Sequence, residues 1–191
     1  MTGPSRDTAG ALPVSFRIIL GRRLAGIAVG TLAVAAAAQV AVPVPLNPVP
    51  MTLQPLAVLA VGGLLGGAGG AAALVAYLAL GALGFPVFAG GAGGALHLLG
   101  PTGGYLLAFP VAAGVTGALA GRGGVLRTLL ACALGMVVIH LGGVAQLAAL
   151  GGDPSAAFRL GFVPFFTGDL LKVGLAAAVI LGLRSRTRRV N

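Results

Sequence analysis

Apolar runs fill almost the whole chain between Leu24 and Leu183, and they constrain the fold more than any other feature of the sequence. Hydrophobic residues make up 58% of the 191 positions, charged residues make up 8%, and the mean hydropathy is +1.05. A soluble domain does not keep such a balance in water, so the composition indicates an integral membrane protein. A helix needs ~20 apolar residues to cross a bilayer, so this length fits five to seven spans and leaves no room for a soluble catalytic domain.

The runs predict an all-α membrane protein, a compact bundle of six transmembrane helices. Glycine accounts for 34 residues without a three-residue period, and it is tolerated in membrane helices because small residues allow close packing. We expect tails at 1–23 and 184–191, with a six-span membrane domain at 24–183 between them. The spans are placed at 24–42, near 52–66, 70–84, 105–120, 125–150 and 160–183.

Arginines predict how the bundle lies in the membrane. They cluster near the N-terminus, at 122–127 and at 184–189, and with six spans all three clusters fall on one side. The positive-inside rule makes that side, and both termini, cytoplasmic. The Gly/Pro-rich loops 42–53 and 85–104 then face outward, where we expect the ligand site. The arginines explain the net charge of +9 as a topology signal, so we expect a lipid bilayer and no nucleic acid as partner.

Span 1 has a second interpretation as a secretory signal. Arg22 and Arg23 precede an apolar run that ends in an alanine-rich segment, as in cleaved leaders. Nothing after residue 42 resembles a secreted protein, so we expect the span to be retained.

Asp169 and Lys172 are the most informative polar residues. The chain has only three acidic residues and one lysine, yet these two lie in an apolar run, where each ionisable group costs ~2.5–3.5 kcal/mol at a span centre. A spacing of three places both on one helix face with a rise of ~4.5 Å. If Arg184 marks the inner boundary, Asp169 lies ~8 Å below the outer edge of a ~30 Å core. The pair is a mutual ion pair at a helix start, a ligand site for an anion and N–H donors, or both at different times.

Other candidates are less specific. The loop AGGAGGA at 89–95 allows a ligand to approach the backbone closely, and Tyr105 is either a ligand contact or an interface anchor. His140 is interpreted as a buried, hydrogen-bonded imidazole in preference to a proton relay. Cys132 is interpreted as inert packing.

The sequence excludes several kinds of enzyme. No serine lies in a predicted span, and the only lysine follows DLL rather than the glycine of a P-loop. Cys132 and His140 lie ~12 Å apart along one helix, too far for a nucleophile–base pair. No residues show metal-ligand spacing. We therefore expect no enzymatic activity, no bound cofactor and no metal.

Span 1 carries a stripe of small residues at spacings of four, three and four. Such a stripe lets another helix approach closely. Packing within the bundle is the default interpretation, and docking of a partner protein is the alternative. The stripe consists of Gly26, Gly30, Ala33 and Ala37.

With these features, the sequence resembles the BioY family, the biotin-capturing membrane subunits of energy-coupling-factor (ECF) transporters. The similar stretches follow the order and spacing of the family over most of residues 40–175. They are VPVPLNPVPMTLQPLAV at 42–58, LGALGFPVFAGGAGG at 80–94, LLGPTGGYL at 98–106 and PFFTGDLLK at 164–172.

The resemblance implies a six-helix subunit in a prokaryotic plasma membrane that binds biotin from outside. It also implies a transmembrane coupling protein and two ATPases as partners, so that ATP acts only through them. The small-residue stripe resembles the coupling-protein contact of the class. The chain departs from the family at Ala92 and Leu106, where polar side chains are common. The resemblance implies that Asp169 and Lys172 are the acid and lysine of the family and that Gly90 to Gly94 is its glycine-rich loop. We expect the ligand residues to be Asp169, Lys172, Tyr105, Gln54, Gly91, Ala92, Gly93 and Gly94.

A second hypothesis from a different class stays open. A proton-coupled carrier or channel for another small anionic solute would use Asp169, Lys172 and His140 as a relay. Its transport would follow the proton gradient without an ATPase partner.

Overall fold

The computed structural model describes residues 14–190, and this part of the chain contains six α-helices. Two short strands, β1 (Ala41–Val42) and β2 (Met51–Thr52), form an antiparallel hairpin after the first helix. Single 3-10 turns occupy Ala89–Gly91 and Ala95–Leu99. The helices are α1 (Val14–Gln39), α2 (Gln54–Ala82), α3 (Gly103–Ala120), α4 (Val125–Gly151), α5 (Pro154–Gly161) and α6 (Phe166–Val190).

Five of the described helices, all except α5, are long and apolar enough to cross a membrane when α2 is counted once. However, α2 is not straight. Gly66 has φ 78° and ψ 170°, which is not helical. Gln54 Nε2 lies 2.7 Å from Tyr77 Oη, although 23 residues of straight helix would separate them by ~35 Å. The helix therefore folds back on itself as two antiparallel arms, 54–65 and 67–82, which correspond to the predicted spans 2 and 3.

Glycine allows the two arms of α2 to pack closely. A Cβ added at Gly70 would lie 2.6 Å from the Cα of Gly62 in the other arm. A Cβ at Gly62 would collide with the backbone of Ala113 in α3. Backbone contacts this close require residues without a side chain, as in other tightly packed membrane helices. The turn itself needs only Gly66, so the second arm begins at residue 67 and not at 70 as predicted.

Among the other helices, the first and the last differ most from the predicted spans. Helices α3 and α4 match the spans predicted at 105–120 and 125–150 to within two residues. Helix α1 begins at Val14, so part of the expected tail 1–23 is helical, and the rest lies outside the described residues. Likewise, α6 continues past the expected end at 183 as far as Val190.

The gap between the spans predicted at 125–150 and 160–183 contains most of the short helix α5. Asp153 caps it, because the carboxylate accepts hydrogen bonds from the backbone N–H groups of Ser155 at 2.8 Å and Ala156 at 3.1 Å. These bonds, with the Ala156 N–H first, hold the pKa of the exposed Asp153 carboxyl below its usual value. Helix α5 ends at Gly161, so the last span begins at Phe166, after Pro164, and not at residue 160 as predicted.

Apolar side chains also cover the outer surface of the bundle. Val29 and Leu32 of α1 and Leu171 of α6 are each about two-thirds exposed. Exposed apolar helix faces are expected where lipid replaces water as the surrounding solvent. The chain is therefore a membrane protein, as predicted.

Candidate functional site

A cavity lies at the end of the bundle where α2, α3 and α6 begin. It has a volume of about 580 Å³, which includes the open space at its mouth. Its lining combines a polar set with apolar walls. The polar residues are Thr52, Gln54, His97, Thr102, Tyr105, His140, Asp169 and Lys172; the apolar ones are Val49, Pro50, Pro55, Ala89, Leu106, Phe109, Ile139 and Phe165.

Asp169 lies at the centre of a buried ionic cluster. Its Oδ1 accepts a hydrogen bond from Lys172 Nζ at 2.7 Å, so the predicted ion pair is present. Its Oδ2 lies 2.7 Å from Nε2 of His140 on α4. The three residues are only 5%, 7% and 8% exposed, in the order Asp169, Lys172 and His140. A buried carboxylate needs partners that offset the loss of hydration, and Lys172 and His140 are such partners for Asp169.

The local structure of α6 explains why Asp169 tolerates this position. It lies in the first turn of α6, and its backbone N–H donates to the Phe165 carbonyl at 2.9 Å. The positive end of the helix dipole stabilises a carboxylate there. Lys172 follows three residues later on the same face, as the spacing predicts.

His140 is the buried, hydrogen-bonded imidazole that the sequence predicts, and it also lines the cavity. Its Nδ1 lies 3.3 Å from the Gly161 carbonyl at the end of α5, and the Phe162 ring meets the imidazole edge-on at 4.9 Å. Tyr105 donates its hydroxyl proton to the same Gly161 carbonyl at 2.7 Å. The signal that pointed to His140 was its rarity, because ionisable residues inside a span are functional candidates by default.

Gln54, an expected ligand residue, lies on the cavity lining at the start of α2. Its Nε2 donates to Tyr77 Oη at 2.7 Å, and Tyr77 Oη donates in turn to the Val87 carbonyl at 3.1 Å. The hydroxyl of Thr52 donates to Gln54 Oε1 at 3.2 Å. These bonds fix the orientation of a polar side chain that is 4% exposed.

The glycine-rich loop is placed differently from the other predicted ligand residues. In the described chain the cavity lining includes Ala89 and His97 of this loop, but not Gly91, Ala92, Gly93 or Gly94. The N–H of Gly91 donates to Gln39 Oε1 at 3.1 Å, and that of Gly94 donates to the Gly81 carbonyl at 2.7 Å. Their role in ligand binding stays a prediction.

His97 is the second histidine of the cavity. Its Nε2 lies 3.2 Å from Thr102 Oγ1, and its ring stacks on Phe88 with centroids 5.1 Å apart. The loop therefore contributes an imidazole to the lining.

The small-residue stripe of α1 divides into two parts. A Cβ at Gly30 would lie 2.9 Å from Val61, and one at Gly26 would lie 3.1 Å from Leu65, so both glycines face the arms of α2. Ala33 is exposed and Ala37 is half-buried. Packing within the bundle thus explains the two glycines. It does not explain Ala33, which remains accessible on the surface of α1.

The fold and the cavity together define a class of protein: a multispan helical membrane protein with a buried ionic cluster on the wall of a cavity. Within residues 14–190 no three His, Cys, Asp or Glu side chains are grouped to hold a metal ion. The model of the BioY family matches residues 11–189 of the chain. The chain therefore belongs to the BioY family, which confirms the resemblance seen in the sequence.

Proteins of similar sequence are named as biotin transporters. The chain is 39% identical over 142 residues to the biotin transporter BioY of Thermotoga maritima, covering 74% of this chain and 84% of the relative. It is 40% identical over 144 residues to the probable biotin transporter BioY of Pyrococcus horikoshii, covering 75% and 86%. The names agree with the expectation that the chain is not an enzyme.

A crystal structure described as the S-component for biotin from an ECF-type ABC transporter has the same fold. The TM-score is 0.82 at 26% identity, and the match covers 92% of this chain and 95% of that chain. The agreement extends over nearly all of both proteins, so the bundle described above is the fold of an ECF S component.

Proposed function

We propose that this chain takes up biotin, as the S component of an ECF transporter. Its family, the names of its relatives and its fold support this proposal. The observation that carries it is the buried Asp169–Lys172 pair on the wall of a cavity of about 580 Å³. Such polar groups on the wall of a cavity orient a ligand that has charged and hydrogen-bonding groups.

The chemistry of biotin matches the lining. Its carboxylate is a partner for the Lys172 ammonium, and its two ureido N–H groups are donors for the Asp169 carboxylate. A carboxylate has about four lone-pair directions, so Asp169 retains acceptor capacity beside its contacts to Lys172 and His140. Ile139, Phe109 and other apolar residues of the lining suit the bicycle and the aliphatic chain. Gln54 and Tyr105 supply the remaining polar wall.

The predicted orientation also fits the position of the cavity. Asp169 and Lys172 lie near the start of α6, and Arg184 lies near its other end. If the arginine clusters are cytoplasmic, the cavity opens on the extracytoplasmic side and both termini are cytoplasmic. Biotin then enters from outside. In this proposal the loop residues 91–94 lie beside the entrance.

Delivery into the cell requires partners. We infer a transmembrane coupling protein and two ATPases, with ATP acting only through them and no cofactor bound to this chain. Ala33 and Ala37 are the part of the α1 stripe available for the coupling protein, since Gly26 and Gly30 pack against α2. Small side chains there allow a partner helix to approach closely.

The contact between His140 and Asp169 favours one alternative, a proton-coupled carrier for a small anionic solute. A carboxylate hydrogen-bonded to an imidazole is suited to moving a proton. This alternative predicts transport that follows the proton gradient in vesicles containing the chain alone. The S-component proposal predicts uptake that depends on ATP in the complete complex.

Calorimetric titration of the purified protein with biotin and other vitamins tests the proposal. We expect saturable biotin binding, weakened roughly 10- to 100-fold in Lys172→Ala, because a hydrogen bond to a charged group contributes ~1.5–3 kcal/mol. Leu171→Ala is the matched control, since its side chain is 65% exposed on the same helix turn. Unchanged biotin affinity in a folded Lys172→Ala protein would show that the lysine is not a ligand.

A further inference from the structure

The ionic cluster contains one more titratable group than an ion pair needs. Asp169 contacts Lys172 through one oxygen and His140 through the other, each at 2.7 Å. We propose that binding of an anionic ligand in this cavity takes up one proton from water, and that His140 holds this proton. The inference rests on the proposed function in that biotin supplies the anion.

Both ring nitrogens of His140 lie beside oxygen atoms, so the ring has an acceptor in place for a second N–H without rearrangement. Oxygen acceptors face both ring nitrogens: Asp169 Oδ2 lies 2.7 Å from Nε2, and the Gly161 carbonyl lies 3.3 Å from Nδ1. A neutral imidazole has one N–H donor and therefore satisfies only one of these acceptors, whereas an imidazolium donates to both. The Gly161 carbonyl already accepts from Tyr105 and has a second lone pair for Nδ1–H.

The charge balance of the cavity couples this proton to the ligand. Asp169 and Lys172 together are neutral, so a proton on His140 alone leaves a net positive charge in a buried site. A ligand carboxylate alone leaves a net negative charge. Bound together, they cancel. Uncompensated buried charge is strongly unfavourable, so each event favours the other, and thermodynamic linkage makes the effect reciprocal.

Among the described residues, the elements packed around His140 supply no other buried charge that performs this role. Tyr105 of α3 donates its proton to Gly161, and α2 contributes the neutral Gln54. The 3-10 turn at Ala95–Leu99 contributes His97, which contacts Thr102 rather than Asp169. Near α5, Asp153 and Arg159 are exposed. His140 is therefore the group through which protons and the anion are linked.

Proton-linked binding has a measurable signature. The added proton forms a bond to Nδ1, while Nε2–H continues to donate to Asp169, and no other bond is made or broken. Where His140 is neutral in the free protein, biotin affinity falls by up to about tenfold per pH unit as the pH rises. At the same pH, the calorimetric binding enthalpies in phosphate and Tris buffers differ by the number of protons taken up multiplied by the difference between the ionisation enthalpies of the two buffers.

The test is calorimetric titration of the full chain with biotin in these two buffers, for wild type and His140→Gln. We expect about one proton taken up per biotin by the wild type, and none by His140→Gln, whose amide still bonds to Asp169 but does not titrate. His97→Gln is the matched control: its affinity is free to change, but it keeps the proton uptake. An uptake that survives in His140→Gln, or disappears in His97→Gln, overturns the assignment.

A ligand variant tests the same inference without changing the protein. Biotin amide lacks the negative charge, so its binding to the wild type should take up no proton. Equal proton uptake with biotin and biotin amide overturns the charge-balance argument, as does wild-type biotin affinity that is independent of pH. These results leave the proposed function standing. Absence of biotin binding by folded wild type at every pH overturns the proposed function, and this inference with it.

Discussion

Neutralising Asp169 should destabilise the protein, because it leaves the buried ammonium of Lys172 without a counter-ion. In Asp169→Asn the amide keeps the shape of the carboxylate, so the change removes charge with little change of volume. Removing one partner of a buried ion pair costs ~3–5 kcal/mol. For a chain of this size, each kcal/mol lowers Tm by ~2–4 °C, so we expect a decrease of roughly 6–20 °C.

The structure predicts an asymmetry between the two single variants. Lys172→Met should cost less than Asp169→Asn, because Asp169 keeps its contact to His140 at 2.7 Å. The double variant Asp169→Asn/Lys172→Met removes both charges, so it should be more stable than Asp169→Asn alone. The difference between the double variant and the sum of the single ones measures the coupling.

The buried thiol of Cys132 allows unfolding to be measured. Cys132 is the only cysteine and is fully buried, so a thiol-reactive fluorophore labels it only as the bundle unfolds. Heating each variant in detergent with the fluorophore gives its Tm. If Asp169→Asn melts at the wild-type temperature, or if the double variant melts no higher than Asp169→Asn, the cluster is not held together by charge compensation.

Three further predictions concern packing, partner binding and pH. Gly62→Ala should prevent normal assembly of the bundle, because the added Cβ collides with Ala113. Gly182→Ala is the control and should fold normally, because a Cβ at Gly182 has no other atom within 4 Å. Size-exclusion profiles of the two variants test this difference. Ala33→Leu should weaken co-purification with the coupling protein and leave biotin binding unchanged, since Ala33 is exposed and far from the cavity lining; equal loss of both would contradict this. Asp153 has a folded pKa below its unfolded value, so its stabilising effect is present above the unfolded pKa and disappears as the pH falls through the folded one. The difference in Tm between wild type and Asp153→Ala should therefore shrink on acidification, and a constant difference would show that the ionised cap is not responsible.

Much of the fold was predictable because the apolar runs carry the information locally. The six segments follow from span length and from the glycine and proline punctuation, and α3 and α4 match closely. The end of α5 and the start of α6 were not predictable, because residues 160–165 are as apolar as a span and only Pro164 marks the break. The position of the fold-back in α2 was predictable from the sequence. That a single residue, Gly66, makes the turn depends on the contact between Gly62 and Gly70, which the sequence does not report.

The site was predictable only where its residues are close in sequence. The spacing of three on α6 brings Asp169 and Lys172 together, and the structure contains that pair. His140 lies 29 residues earlier on another helix, and no sequence spacing reports which faces of two helices meet. In the glycine-rich loop, the sequence predicted backbone N–H groups free to contact a ligand. Two of these N–H groups instead donate hydrogen bonds within the protein, to Gln39 and to the Gly81 carbonyl.

A structure of the purified chain with biotin bound tests the central claim most directly. The account predicts biotin in the cavity, with polar atoms within hydrogen-bonding distance of both Lys172 Nζ and the Asp169 carboxylate. Biotin bound elsewhere, for example against residues 91–94 with the Asp169–Lys172 pair still closed on itself, would contradict it.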